Sequence, residues 1–469
     1  MIGSLRLPRP VCVPPLDEGF SPAALANRVF LQEEDSRAGV PLVFGVERSD
    51  GSLSRFETNV FPAGHPKARA SLFYAERILK FLLWQRGGWK VYVGGPSGIG
   101  NHVQALYAAR GERSFDSDLL GAKIYQKPFT VVPCTAGEVP GEDERAQALG
   151  RHSKGCRIGF DLGASDLKVS AVIDGQAIYS KEIVWEPAIQ TDPRYHYDHL
   201  TSALREAASK MPRLDAIGGS SAGVYVDNRP MVASLYRGIP ESRYDEISGM
   251  FLRIGAEFGV PLKVINDGEV TALAGSMSLA ANGLPGDSVL GIAMGSSEAA
   301  GYINSESSIT GWLNELAFAP IDYSPEAPVE AWSGDKGAGS QYLSQQCVFR
   351  LAPKAGIDLP AGVTKAEKLR SVQEELEAGL PGAVQIWQSM GVYLGYAIAH
   401  YADFYDLKHV LILGRCTSGS GGGLILEGAQ TVLRTEFPRL ASGVNIQLPD
   451  EQSRRVGQSI AAASLPALD

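Results

Sequence analysis

Runs of apolar residues with strand-like and helix-like spacing alternate along the chain. Short runs rich in Val and Ile, bounded by Gly, Pro, Asn and Asp, predict strands, whereas apolar residues three and four positions apart predict helices. The clearest segments are strands at 40–47, 53–60, 89–93, 157–172 (as a hairpin), 216–219 and 409–413, and helices over 68–85, 101–110, 200–211, 244–258, 374–404 and 424–434. This alternation favours α/β layers around a mixed sheet.

Proline, glycine and charged residues mark the places where this pattern is interrupted. The first forty residues are rich in proline and lack periodicity, which predicts an irregular arm. Residues 135–154 are polar and acidic, which predicts an exposed connection and a domain boundary near residue 150. We therefore expect a small N-terminal α/β domain over 1–150. Its patterns at 43–60 and 91–106 loosely repeat later segments, which suggests a degenerate relative of the fold that follows.

Size, charge and cysteine content narrow the class of protein. A chain of 469 residues exceeds what one hydrophobic core usually organises. The net charge is −9 and Lys and Arg are scattered, so no nucleic-acid partner is expected. The five cysteines are far apart and fit a reducing compartment. No apolar run reaches the roughly 18–20 residues of a membrane helix, and no signal peptide is recognisable, so we expect a cytoplasmic protein without a membrane partner.

A predicted hairpin carries the first candidate for chemistry. In Ile158-Gly-Phe-Asp161-Leu-Gly163-Ala-Ser165-Asp-Leu-Lys168 an apolar strand ends in an aspartate and turns through a glycine and a serine. Backbone amides at such a turn can hold a phosphate, Ser165 can donate a hydrogen bond, and Lys168 can offset charge. Asp161 can hold the water molecules around Mg²⁺. An ordinary turn uses the same residue types, so both interpretations stay open on this motif alone.

A second candidate lies about a hundred residues later, where a short apolar strand runs through Asn266 and Asp267 into a helix of small residues. A carboxylate at this junction could accept the proton of an attacking hydroxyl while a phosphate is transferred. The simpler alternative is an Asx turn that caps the helix, and the two roles are compatible.

Together these motifs resemble the ROK family of sugar kinases and sugar-responsive repressors (repressor, open reading frame, kinase) over roughly residues 156–465. The resemblance implies an actin-like ATPase fold, which is ribonuclease H-like, with two lobes enclosing a cleft. It places lobe I at 156–275 plus 452–465 and lobe II at 276–451. It also implies ATP and Mg²⁺ as cofactors and a sugar or sugar-like hydroxyl as the acceptor.

The resemblance assigns roles to individual residues in the order of the family's motifs. The implied phosphate and nucleotide ligands are Asp161, Gly163, Ser165, Lys168, Gly295, Ser296, Ser297, Gly414, Gly421 and Gly422. The implied sugar ligands are Ser220, Ser221, Gly223, Asn266, Glu315 and Ser340, with Asp267 as the general base.

Several positions depart from the family pattern. Phe318 stands where a histidine that binds zinc and sugar is usual, Ser340 replaces a second glutamate, and the zinc-binding cysteines are absent. We therefore expect no zinc site. Ala164 replaces a glycine of the phosphate loop. These departures leave the sugar undetermined and keep a second hypothesis, a sugar-sensing regulator or a catalytically weakened sugar- or nucleotide-binding protein. A homodimer is one open option for its assembly.

The segment Gly219-Ser-Ser221-Ala-Gly223 also fits the Gly-x-Ser-x-Gly motif of α/β hydrolases. That motif requires a helix directly after the serine, whereas the following Val-Tyr-Val predicts a strand. The hydrolase interpretation is therefore set aside in favour of a loop that lines a sugar site.

Overall fold

The computed structural model describes residues 5–33, 39–145, 149–449 and 451–468, with side-chain surroundings for all of these except 451–456. Parts of the predicted arm (1–4 and 34–38) and of the predicted acidic connection (146–148) lie outside the described residues. No helix in the described part of the chain is both long enough and apolar enough to cross a membrane.

The strands, in chain order, are β1 (Val40–Glu47), β2 (Leu53–Val60), β3 (Lys90–Gly94), β4 (Thr130–Cys134), β5 (Cys156–Leu162), β6 (Asp166–Ile173), β7 (Gln176–Val184), β8 (Ala216–Ser221), β9 (Val224–Val226), β10 (Arg229–Val232), β11 (Leu262–Asn266), β12 (Val289–Met294), β13 (Glu298–Ile303), β14 (His409–Leu413) and β15 (Asn445–Gln447). The helices are α1 (Ala23–Gln32), α2 (Ala68–Arg86), α3 (Ser97–Leu106), α4 (Ser114–Ser117), α5 (Pro193–Ala208), α6 (Tyr244–Ser248), α7 (Met250–Phe258), α8 (Asp267–Ala281), α9 (Gln345–Leu351), α10 (Lys365–Glu377), α11 (Pro381–Tyr401), α12 (Gly421–Glu436), α13 (Pro438–Gly443) and α14 (Glu451–Ala463).

Most predicted elements are confirmed, and the errors have local causes. The single helix predicted over 374–404 is wrong, because Gly379 adopts φ 73° and Pro381 begins a new helix, which separates α10 from α11. The helix predicted at 101–110 starts earlier, at Ser97, because the chain enters it directly after Pro96. The predicted irregular arm contains α1.

The acidic connection is not simply exposed. Leu53 and Asp143 exchange two backbone hydrogen bonds of 2.9 Å, which adds the segment to the edge of β2. Glu144 accepts a hydrogen bond of 2.6 Å from Arg48 and one of 3.1 Å from the Trp312 indole. These contacts tie the segment to its surroundings as far as residue 145.

The chain divides into two compact units. Unit 1 comprises Met1–Arg145, Ala293–Ala299 and Trp312–Leu448, and unit 2 comprises Ala146–Ile292, Ala300–Gly311 and Pro449–Asp469. The domain boundaries expected from the sequence, near 150, 275 and 451, stay predictions.

Unit 1 contains a four-stranded sheet in the order β2-β1-β3-β4, and a further four-stranded sheet has the order β13-β12-β14-β15. β1 runs antiparallel to both β2 and β3, whereas β3 and β4 are parallel. In unit 2 the central β5 is instead parallel to β8. This difference in strand direction contradicts the hypothesis that the N-terminal segment is a degenerate copy of the fold that follows.

Unit 2 is built on a five-stranded sheet in the order β11-β8-β5-β6-β7. β5, β6 and β7 form successive antiparallel hairpins, whereas β11, β8 and β5 are parallel. Every residue of β5 and β8 is buried. The carboxyl ends of three parallel strands therefore meet at one edge of this sheet, which is where α/β proteins place their ligands.

The terminal helix α14 lies directly on β5 and β8. A β-carbon at Gly159 would overlap the carbonyl oxygen of Ser459, and one at Gly218 would overlap that of Ala462. The Ser170 and Ser459 hydroxyls also share a hydrogen bond of 2.8 Å. Backbone thus packs on backbone here, so the two glycines are required by the close approach of the helix.

Replacing Gly218 by Ala should destabilise the protein by about 1–3 kcal/mol, because the added methyl group cannot be accommodated without moving α14. Gly457→Ala is the matched control, since a β-carbon there has its nearest neighbour at 4.0 Å. The control should be neutral or slightly stabilising in a helix interior. Urea denaturation measures both effects, and equal stabilities of the two variants would contradict the packing described.

Candidate functional site

Polar side chains of unit 2 meet at the carboxyl ends of β5, β8 and β11. Asp161 on β5 lies beside Ser220 on β8, and Ser220 lies beside Ile265, next to the end of β11. The Ser220 hydroxyl donates a hydrogen bond of 2.6 Å to Asp161 Oδ1. The strand register therefore brings together residues that are separated by about a hundred positions in the sequence.

Asp161 is a buried carboxylate, with 7% of its surface exposed. Burial raises its pKa, while the hydrogen bond from Ser220 and the positive charge of Lys168 oppose that rise. A cation at this position would favour the ionised form in the same way as Lys168 does.

Asn266 and Asp267 occupy the junction between β11 and α8. Asn266 caps the helix, since its Oδ1 accepts a hydrogen bond of 2.7 Å from the Gly268 amide. Its Nδ2 donates to the Gly223 carbonyl at 2.7 Å. Gly223 itself has φ 122°, and a β-carbon there would lie 2.6 Å from Val232 O, so only glycine fits. The amide of Asn266 thus joins the helix start to the loop after β8.

Asp267 combines partial exposure with a perturbed pKa. Its side chain keeps some accessible surface, although protein atoms surround it on most sides. Burial raises its pKa to about 6, and the negative charge of Asp161 adds to the rise. Both the capping role and a catalytic role remain compatible with this position, as the sequence predicted.

The tip of the β5–β6 hairpin is held by backbone and indole contacts. Gly163 donates its amide to the Asp166 carbonyl at 2.9 Å and accepts from the Trp185 indole at 2.9 Å. Asp166 also binds Lys168 Nζ at 3.1 Å and accepts from the Ser165 hydroxyl at 3.1 Å. Sequence reasoning overlooked Asp166. Its spacing of two from Lys168, which puts both on one face of a strand, was the available signal.

The oxygen ligands of unit 2 suit Mg²⁺ held partly through water. Mg²⁺ is usually bound by one or two carboxylates and keeps several water molecules. Asp161 and Asp267 are close enough for the charge of one to raise the pKa of the other. In the described part of the chain no group of three or more His, Cys, Asp or Glu side chains forms a metal cage. Asp161 and Asp267 are the carboxylates that this edge of the unit 2 sheet could offer to such an ion.

The remaining predicted ligands lie in unit 1, and two of their turns adjoin. Gly295 donates its amide to Ser297 O at 3.0 Å and accepts from the Gln345 amide at 2.9 Å. Ser296 and Ser297 are exposed. Gly414, with φ 95°, approaches so closely that a β-carbon would lie 2.5 Å from Met294 O. The turn after β12 and the turn after β14 are therefore neighbours.

Gly421 and Gly422 begin α12, and both are explained by packing. A β-carbon at Gly421 would overlap the Trp387 indole, and one at Gly422 would lie 2.6 Å from Thr417 O. The Glu377 carboxylate accepts a hydrogen bond of 2.7 Å from the Ser420 amide, directly before the helix. Because this negative charge already stabilises the helix start, it disfavours a phosphate at the same amides.

Glu315 is held in place by the helix α2. The amides of Asn314 and Glu315 donate 2.9 Å hydrogen bonds to the carbonyls of Gln85 and Trp84, at the C-terminal end of that helix. The last carbonyls of a helix have no partner within it, so a neighbouring segment can satisfy them. The N-terminal part of the chain thus positions the backbone of a predicted sugar ligand.

Glu298 is a candidate that sequence reasoning missed. It is 2% exposed, and its Oε1 accepts a hydrogen bond of 3.0 Å from Tyr401. Its Oε2 and the buried Ser340 hydroxyl have no hydrogen-bond partner among the described residues. Burial raises the pKa of Glu298 to about 8, and the charge of Glu315 contributes. The only signal in the sequence was an acidic residue inside a segment of small residues.

Phe318, which replaces the histidine of the family pattern, belongs to an aromatic cluster. Its ring centroid lies 4.4 Å from that of Trp84 and 5.6 Å from that of Trp332. Such pairs contribute packing and quadrupole attraction. The substitution therefore places an apolar contact between α2 and the segment that carries Glu315.

Comparison with known proteins gives matches among solved structures alone, because no family model and no curated protein sequence matches the chain. A ROK hexokinase from Thermus thermophilus is 16% identical, with a TM-score of 0.50 over 66% of this chain and 98% of that chain. A ROK family transcriptional regulator, a homolog of the E. coli MLC protein, is 16% identical, with a TM-score of 0.51 over 66% and 77%. The chain has the actin-like ATPase fold.

At this identity the two structures establish the fold and not the activity, and one of them is an enzyme while the other is a regulator. A ROK family glucokinase from Streptomyces griseus, solved with glucose and AMPPNP, also matches, at 19% identity over 66% of this chain and 98% of that chain. The TM-score of that match is 0.48.

Replacing Glu298 by Gln should change the pH dependence of stability. The pKa of Glu298 is about 8 in the folded protein, whereas that of an ordinary glutamate is 4.5. The folded state therefore loses stability as the pH rises from 4.5 to 8, because the unfolded chain ionises first. Since a tenfold change in proton affinity is worth about 1.4 kcal/mol, Glu298→Gln should exceed the wild type by a few kcal/mol above pH 8 and match it near pH 4.

Urea denaturation at a series of pH values measures this difference. The matched control is Glu326→Gln, which removes the carboxyl of an exposed glutamate of the same unit. A stability difference for Glu298→Gln that stays constant from pH 4 to 9 would show that this carboxyl is ionised normally.

Proposed function

We propose that the protein is an ATP-dependent kinase that phosphorylates a hydroxyl of a sugar or sugar-like molecule. The observation that carries this proposal is the pair of carboxylates Asp161 and Asp267 at the carboxyl ends of parallel strands, one buried and one partly exposed with a pKa near 6. A base that is ionised at neutral pH and still basic enough to take a proton suits hydroxyl activation. The fold is compatible with this chemistry but does not by itself determine the activity.

Asp267 is the proposed general base. It would accept the proton of the sugar hydroxyl while that oxygen bonds to the γ-phosphorus of ATP and the bond to the leaving ADP oxygen breaks. Both polar atoms of Asn266 are already used by Gly268 and Gly223. This supports a positioning role for Asn266, which would hold Asp267 and the loop of Ser221 and Gly223 in register, while its second amide hydrogen stays available to a sugar oxygen.

The proposed phosphate ligands are the hairpin amides near Gly163, the Lys168 ammonium and the turn at Gly295. The position where a β-carbon would stand at Gly295 is open, with its nearest heavy atom at 3.7 Å, so a phosphate oxygen could approach the backbone there. Mg²⁺, when bound beside Asp161, would neutralise charge on the phosphates. Glu315 and Ser340 are the proposed sugar ligands of unit 1.

Two observations favour a second candidate, a sugar- or nucleotide-binding protein or regulator with weak or no catalysis. Lys168 and Ser165 are both held by Asp166. Glu377 places a negative charge at the start of α12, where a nucleotide is expected. Such a protein would bind nucleotide or sugar without turnover, so measured binding in the absence of ADP release would favour it over the kinase.

Asp267→Asn should lower turnover by about 10²–10⁴-fold, because the amide cannot accept the hydroxyl proton. The assay measures ADP release with ATP, Mg²⁺ and a panel of hexoses, amino sugars and cyclitols. Asp227→Asn is the matched control, since Asp227 is an exposed aspartate of the same unit, and it should leave turnover unchanged. The kinase proposal fails if no acceptor gives turnover that Asp267→Asn abolishes.

The rate should also depend on pH through Asp267. Its carboxylate is the active form, so kcat/KM should fall about tenfold per pH unit below about pH 6 and level off above it. The profile is measured with the acceptor identified by the panel. An inflection near pH 4, the ordinary value for an aspartate, would contradict the raised pKa of Asp267.

A further inference from the structure

Unit 1 contains a pocket of about 790 Å³ that includes none of the residues proposed for the kinase reaction. Helix α2 forms one wall, α3 and the following loop form another, and residues 322–325 and 333–336 close the remaining side. The volume falls within the roughly 300–1,000 Å³ typical of small-molecule sites.

One face of α2 is turned toward this pocket. Arg69, Leu72, Phe73, Glu76 and Arg77 line it, and their spacing of three and four residues places them on a single helical stripe. Leu72 and Phe73 remain partly exposed there. The remaining residues of α2, including Glu76 and Arg77, are largely buried, so the part of this helix that is open to a ligand is its start, at Arg69, Leu72 and Phe73.

Three of the four carboxylates that line the pocket are engaged by other protein groups, whereas Glu112 lies 3.5 Å from Arg113 and its side chain is 70% exposed. Glu76 accepts two hydrogen bonds from Arg77 and one of 2.7 Å from Arg113. Asp335 forms ion pairs with Lys80 and Arg113. Asp322 accepts hydrogen bonds from the Tyr342 hydroxyl at 2.6 Å and the Ser324 amide at 2.7 Å.

Two cations of the pocket, Arg69 and Lys336, make few contacts with other protein groups. Arg69 is exposed and makes no hydrogen bond or ion pair with any residue that the structure describes. Lys336 reaches only the Pro325 carbonyl, at 2.6 Å. Arg69 is also the second residue of α2, whose first turn holds no acidic residue and no side-chain cap, so the positive end of the helix is unopposed. Among the weakly paired side chains of the pocket, two cations, Arg69 and Lys336, thus stand against one carboxylate, Glu112, and the balance of charge is positive.

We propose that this pocket binds a small organic phosphate. Arg69 and Lys336 would bind the phosphoryl oxygens, since a tetrahedral dianion offers several acceptors to cations that approach from different elements. Leu72 and Phe73 would contact the organic part of the molecule. The site is separate from the proposed kinase residues and does not depend on kinase activity.

The test is a calorimetric titration of the full-length protein with phenyl phosphate, which joins an aromatic ring to a phosphate. Wild type should bind it saturably, and phenol or inorganic phosphate should each bind more weakly because each supplies only half of the contacts. Arg69→Ala and Lys336→Ala should each weaken binding about tenfold, since each removes a charge-assisted contact. Both side chains are exposed, so the variants should fold as the wild type does.

Arg439→Ala is the matched control, an exposed arginine of unit 1 outside the pocket, and it should leave binding unchanged. Phenyl phosphate bound at the proposed nucleotide residues would instead be displaced by ATP and be insensitive to Arg69→Ala. That result would overturn the proposal. So would the absence of binding at about 10 mM phenyl phosphate, or an equal loss of affinity in Arg439→Ala.

Discussion

The parallel pairing of β5 with β8 and of β8 with β11 is the constraint on which the candidate chemistry of unit 2 depends. This pairing aligns the three strand ends and so brings Asp161, Ser220 and the start of α8 together. Helix α14 stabilises this pairing by packing on one face of the sheet. It approaches β5 and β8 at Gly159 and Gly218, where no side chain intervenes. The sheet edge therefore keeps its polar residues in register through contacts made on its apolar face.

Burial and charge then set the chemistry of the carboxyl groups. Desolvation raises the pKa values of Asp161, Asp267 and Glu298, and each also lies near a second acidic group. A protein that keeps such groups without full ion pairing loses some stability by doing so. Asp267 and Glu298 differ in exposure, because Asp267 retains access to solvent while Glu298 has almost none. Of these three carboxyl groups, Asp267 is the one that solvent reaches most readily.

Unit 1 uses its N-terminal segment in two ways. The last carbonyls of α2 hold the backbone of Glu315, and Trp84 of the same helix packs on Phe318. The opposite end of α2 carries Arg69 beside a pocket. The same helix thus supports a proposed sugar ligand and lines a separate cavity. The N-terminal segment therefore packs within unit 1 and contributes to two of its candidate sites.

The sequence by itself determined the local elements and the order of the motifs. Strand and helix periodicity located β1, β2 and α2, and the Asn-Asp pair before small residues predicted the capped junction at α8, because these signals depend on neighbouring residues. Periodicity also indicated α/β layers, and the resemblance of the motifs to those of the ROK family implied the fold class.

Tertiary structure decided what neighbours in space do to each group. The contact of Glu377 with the start of α12 and the burial of Glu298 depend on partners and surroundings that residue spacing does not reveal. The break between α10 and α11 and the antiparallel pairing of β1 with β3 were likewise absent from the predictions. Periodicity records which face of an element is apolar, whereas strand direction, charge pairing and desolvation depend on which elements meet.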